Sequence, residues 1–83
     1  MLTVDRLKEL LSYESDIGVF SWKANGVAGA CMTQDGYRFI QIDGRFYMAQ
    51  VLAVFYMTGE HPQTQVVHKN GNKDDNRFEN LEW

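Results

Sequence analysis

The chain has a single cysteine, Cys31, so it can build neither an intrachain disulfide nor a cysteine-rich zinc site. That fits a reducing compartment. No neighbour marks Cys31 as a reactive thiol, and it reads as a small buried hydrophobe. Long apolar runs are missing too. The longest candidate, Val51 to Met57, falls far short of the roughly 20 residues that span a bilayer. The opening Met1-Leu2-Thr3-Val4-Asp5 lacks the basic region of a signal peptide. Nor is there an excess of basic residues: 8 Lys and Arg stand against 11 Asp and Glu, a net charge of −3. A domain that grips duplex DNA alone usually carries a basic footprint, because phosphate neutralisation dominates affinity. Net charge can hide a local patch, so the distribution matters more than the sum. The expectation is a soluble, cytoplasmic, single domain over residues 1–83, without repeats, low-complexity tracts or linkers, and with room for one modest core.

What is present is aromatic and patterned. Trp22, Phe20, Tyr37, Phe39, Phe46, Tyr47, Phe55 and Tyr56 are expected to supply most of the buried area. Thr3 is a plausible N-cap, and Val4, Leu7, Leu10 and Leu11 share one helical face, predicting a helix that ends near Tyr13. Ser15-Asp16-Ile17-Gly18 reads as a turn and Val19 to Lys23 as a strand. A short strand is expected around Ala28 to Met32. Tyr37 to Ile42 and Arg45 to Met48 flank Asp43-Gly44, a type I′ pair, because Asp and Gly tolerate the positive φ such a turn demands. Ala49 to Met57 is apolar nearly all round, which predicts a central core helix stopped by Gly59. His61, beside Pro62, reads as a turn residue. The tail from Gln65 is a short strand entering a polar loop, with Phe78, Leu81 and Trp83 as its apolar anchors. The fold class expected is α+β: an N-terminal helix, a small antiparallel sheet centred on the Tyr37–Met48 hairpin, one core helix and a C-terminal ββ tail.

The stretch Val66-Val67-His68-Lys69-Asn70-Gly71-Asn72, followed by Asp75-Asn76-Arg77-Phe78-Glu79-Asn80-Leu81, resembles the HNH endonucleases of bacteriophages and mobile introns. Tyr47 to Ala53 and the Tyr56 to Pro62 segment, with its Thr-Gly-Glu-x-Pro turn, resemble the helix and turn that precede that motif. The opening from Leu2 to Trp22 resembles the start of the small phage members. The resemblance divides the domain into a helix, sheet and core-helix part, 1–62, and an HNH motif, 63–83. It implies a ββα-metal fold in which His68 matches the general base that takes a proton from water. Asn80 matches the residue that fixes the loop, and a divalent metal neutralises the developing phosphorane charge.

Several positions depart from that pattern. The family's metal ligand beside the histidine is replaced by Val67, which has no lone pair to offer. The family's metal-binding helix does not follow Trp83 in this sequence, so the motif is read as truncated. The usual His-Arg pair is replaced by Gln50-Val51, and Glu82 stands where a basic residue is usual. A general base without its metal lacks the electrophilic half of the mechanism. His68 is therefore read as a vestigial base, a loop imidazole bonding to backbone in the Asn70-Gly71 turn, and Asn80 as a loop-fixing residue. Asp74 and Asp75 read as turn caps rather than metal ligands. Lys69, Lys73 and Arg77 read as a mixed solvated surface, with a phosphate-contacting rim as the alternative.

The function expected is non-catalytic binding of a macromolecule, with no cofactor. One form would be a phage-type inhibitor of a host defence complex, anti-CRISPR or anti-restriction, in the host bacterial cell. Phe78, Leu81 and Trp83 would fill a partner's groove or a two-fold interface. Lys69, Lys73 and Arg77 complete the binding set. Two alternatives stand beside it. One is a divalent-metal DNA endonuclease completed by a second chain or by Asp74 or Asp75. The other is a DNA-binding remnant whose affinity falls with salt.

Overall fold

A computed structural model describes residues 1–28 and 31–83. Helix α1 spans Val4–Leu10, and Thr3 Oγ1 accepts a hydrogen bond from Arg6 N at 3.1 Å, as its N-cap position requires. The helix does not run to Tyr13. Leu11–Glu14 forms strand β1, paired antiparallel with β2 at Val19–Trp22 around a turn in which Gly18 takes φ +74°. The apolar residues were compatible with both periods, since Leu11 closes the helical stripe and also opens an alternation with Tyr13. Long-range pairing decides for the strand: Leu11 and Tyr13 are buried while Ser12 and Glu14 are exposed.

The predicted single sheet is divided into three small ones among the described residues. Strands β1, β2 and β3 (Gly26–Val27) form the first. Strands β4 (Cys31–Met32), β5 (Arg38–Ile42) and β6 (Arg45–Met48) form the second, and β7 (Val67–His68) pairs with β8 (Leu81–Glu82) in the third. Of the strand expected at Ala28–Met32, residues 29 and 30 lie outside the described residues. The β5–β6 hairpin closes as predicted, with Asp43 at φ +50° and Gly44 at φ +82°. Arg6 donates to both carboxylate oxygens of Asp43, tying α1 to that turn.

Helix α2, Ala49–Thr58, is the centre of the molecule. Leu52, Ala53, Val54 and Phe55 are buried, and Gly59 ends the helix at φ +81° with its N–H on Phe55 O at 2.9 Å. Around α2 collect Leu7, Leu11, Tyr13, Phe20, Ile40, Ile42, Val66 and Leu81. Tyr13 and Phe20 stack with centroids 4.6 Å apart, and Tyr56 meets both edge-on. His61 does more than turn the chain: its ring stacks on Phe55 at 3.8 Å, and Nε2 lies 3.3 Å from Leu2 O.

Two burial expectations are corrected by the pleat. The sheet of β4, β5 and β6 turns Ile40 and Ile42 toward the core, so the intervening positions and their cross-strand partners face out. Phe46 is 66% exposed, and Phe39 is only half-buried against it. Cys31, opposite Phe39 on the short outer strand, is exposed rather than buried. The aromatic core is thus Phe20, Phe55 and Tyr13, smaller than composition suggested.

This arrangement predicts a sharp contrast between two truncations. Leu52→Ala empties a fully buried site and should cost about 2–5 kcal/mol in urea denaturation. Phe46→Ala, on the exposed face, should shift the same transition by less than about 1 kcal/mol.

Candidate functional site: the His68 loop

The loop between β7 and β8 carries few apolar residues, so its shape must come from hydrogen bonds. Gly71 supplies a left-handed residue at φ +75° and donates its N–H to His68 O at 2.9 Å. Asn70 Oδ1 accepts from Asn72 N at 2.8 Å, and Asn72 Oδ1 accepts from Asp74 N at 3.0 Å. These are two successive side-chain turns of the kind asparagine favours. A single 3-10 turn, Phe78–Asn80, then returns the chain to β8.

Asn80 is buried and fully engaged. Its Oδ1 accepts from Asn70 N at 3.1 Å, while Nδ2 donates to Asn70 Oδ1 at 3.0 Å and to Asp75 O at 2.9 Å. Asp75 is held just as firmly. Arg77 grips it through Nε on Oδ1 and Nη2 on Oδ2, both at 2.8 Å, and Asn70 Nδ2 adds a further bond to Oδ2. The Arg77 hydrogen bonds, partly opposed by burial, hold this carboxyl well below the usual range. Arg77 Nη1 also reaches Glu79, and Asp74 pairs with Arg38 of β5.

The imidazole of His68 meets a side chain rather than the backbone of the Asn70-Gly71 turn. Its Nε2 lies 2.8 Å from Oδ1 of Asn76, a residue only 2% exposed. An amide oxygen can only accept, so Nε2 carries the proton. In the neutral ring Nδ1 is then the nitrogen with a free lone pair. Tyr37 lies beside the ring, with centroids 6.1 Å apart. Over Tyr37 sits Lys73 Nζ, 4.7 Å from its centroid, which also donates to Asp35 O at 2.8 Å. The imidazole is thus oriented for proton transfer, but no electrophile stands beside it. The Val67 side chain offers no oxygen, both oxygens of Asp75 are taken by Arg77, and Asp74 faces Arg38. Among the described residues no group of three or more His, Cys, Asp or Glu is placed to hold a metal ion. The residues present do not fit the divalent ion that the motif implies.

Residues 47–83 match the family model described as HNH endonuclease. This C-terminal segment is similar to the HNH endonucleases. Among solved structures the chain resembles the one described as DNA binding and cleavage by the HNH homing endonuclease I-HmuI. The TM-score is 0.68 at 25% identity, over 88% of this chain and 45% of that one. So large a share of this chain cannot be confined to residues 47–83, and the likeness takes in much of the N-terminal sheet region as well. The chain spans a little under half the length of that HNH enzyme. No curated protein gives a significant match.

The predicted binding residues separate in the structure. Lys69 and Lys73 are exposed near His68, whereas Arg77 is occupied by Asp75 and Glu79. Leu81 is no docking residue: it pairs across from His68 in the β7–β8 ladder, buried at 3% exposure. Phe78 packs partly against the core, leaving Trp83, 49% exposed and 5.8 Å from the Phe78 ring, as the outward anchor. Asp75 caps a turn by accepting Arg77 N at 3.3 Å, while Asp74 serves as an ion-pair partner instead. Gln50 is buried at the start of α2. Sequence reasoning missed Asn76 as the partner of His68. The only available signal was its place in an Asp-Asn pair eight residues on. Tyr37 and Tyr13 carried no signal at all.

The depressed Asp75 carboxyl fixes a pH dependence. Its folded pKa lies below the ordinary 3.8, so it stabilises the fold above that value and loses this effect as pH falls through the folded pKa. The urea midpoints of wild type and Asp75→Asn should differ most at about pH 5 and approach each other steadily toward about pH 2.

Proposed function

We propose that this HNH-like domain works by binding a macromolecule, with DNA as the first partner, and that its own residues do not carry out metal-dependent strand cleavage. One observation carries the reading: His68 is oriented by Asn76 but flanked by Val67, while the nearby carboxylates are held by arginines. Proton transfer to a positioned imidazole supplies only part of phosphodiester hydrolysis. Neutralising the phosphorane charge needs an electrophile that these side chains do not assemble.

DNA is favoured because the solved relative is described as binding and cleaving it. Local charge supports the same choice despite the net −3. Asp74 and Asp75 are neutralised by Arg38 and Arg77, which leaves the charges of Lys69, exposed beside His68, and of Lys73, laid over Tyr37, without a carboxylate from that pair. Glu82, opposite Val67, works against phosphate approach and sets the affinity low. A protein partner is the second reading, and an inhibited host defence complex is one form of it. It is favoured by the exposed Phe46, Met48 and Trp83.

Fluorescence anisotropy with a duplex oligonucleotide tests the first reading. Binding should weaken steeply between about 50 and 200 mM salt, and Lys69→Ala or Lys73→Ala should each lower the log–log salt slope by about 1. Supercoiled plasmid incubated with Mg²⁺ or Mn²⁺ should stay intact. Nicking that His68→Ala abolishes would overturn the non-cleaving part, and a flat salt response would move the assignment to a protein partner.

A further inference from the structure

The hairpin of β1 and β2 lies outside the family-matched segment, yet it touches the His68 loop at three consecutive residues. Tyr13 Oη donates to the backbone carbonyl of Asn76, in a buried bond across 63 positions of sequence. Phe78 N donates to Ser15 O at 3.1 Å. Between them, Gly18 lies flat against the Asn76–Arg77 peptide. A Cβ there would collide with Asn76 C and Arg77 N, and Gly18 already needs φ +74°. Burial, with a lesser contribution from the negative charge of Asp75, pushes the Tyr13 phenol up to about 12, which keeps it a donor across the neutral range.

Asn76 is bound at both ends. Its carbonyl is held by Tyr13 and its side-chain Oδ1 holds His68 Nε2 at 2.8 Å. The side chain is short and the residue is buried, so any shift of its main chain displaces Oδ1 from the imidazole. We infer that Tyr13 and Gly18 are positioning residues for His68, acting through Asn76, so that the N-terminal hairpin sets the orientation and tautomer of the loop imidazole. The inference does not depend on what the loop binds or on whether it cleaves.

The test is nitrogen and proton NMR of the two histidine rings in the intact chain, with His61 as the internal control, since it packs on Phe55 and Leu2 instead. Tyr13→Phe keeps the ring and removes the bond. It should cost the His68 Nε2–H signal through exchange with water and move the ring nitrogen shifts toward a tautomer mixture, leaving His61 unchanged. Gly18→Ala should do the same more strongly. Asn76→Ala should release His68 while the Phe78 amide stays protected, because the carbonyl held by Tyr13 remains. In that background Tyr13→Phe should add nothing to the His68 spectrum. An unchanged His68 spectrum in folded Tyr13→Phe would overturn the inference. So would an undiminished effect of Tyr13→Phe in the Asn76→Ala background. If Tyr13→Phe does not fold, Asn76→Ala alone decides: retention of the His68 Nε2–H signal there refutes the link.

Discussion

Two asparagines turned inward, Asn76 and Asn80, hold the polar loop in place, and the site depends on them. A run of twelve residues from Lys69 to Asn80 has only Phe78 to bury as a large apolar side chain. Such a segment cannot be fixed by the hydrophobic effect, and its backbone groups need partners wherever they leave water. Asn80 satisfies Asn70 and Asp75 from inside the loop, and Asn76 meets His68 from the other side. An amide has both donors and an acceptor on one short side chain, so each asparagine can join strands of the loop that a carboxylate or an alkyl group could not.

That internal polar frame would still be free to rock as a unit if nothing seated it. Seating comes from two directions. Leu81 and Val66, at the two feet of the loop, enter the core around α2. From the far side the β1–β2 hairpin presses Gly18 and Tyr13 against the Asn76–Arg77 peptide. The same economy of contacts explains the electrostatics. Arg38 and Arg77 are engaged by Asp74 and Asp75, so the cations nearest His68 are Lys69 and Lys73, the latter resting on Tyr37, and both suit loose phosphate contact rather than bidentate grip.

Legibility differed between elements for identifiable reasons. The β5–β6 hairpin and α2 could be read because their signals are local: a positive-φ pair between two apolar runs, and the apolar run Val51 to Met57 closed by Thr58-Gly59. The end of α1 could not, because Leu11 and Tyr13 fit a helix until pairing with Trp22 and Phe20 makes them a strand. Exposure of Phe39, Phe46 and Cys31 was likewise invisible. Alternation says which residues share a face but not which face meets the core.

The same division runs through the site. From the sequence alone came the loop, its glycine, the placing of His68 and Asn80 in one HNH-like motif, and the lack of an oxygen donor at Val67, because each rests on residue chemistry at short spacing. Only the tertiary structure decided that Asn76 is the partner of His68, that Asp75 is locked by Arg77, that Leu81 is core, and that Tyr13 and Gly18 brace the loop. The contacts of Tyr13 and Gly18 join positions up to 63 apart, and no local pattern encodes them. They arise when α2 gathers both halves of the chain around one buried surface.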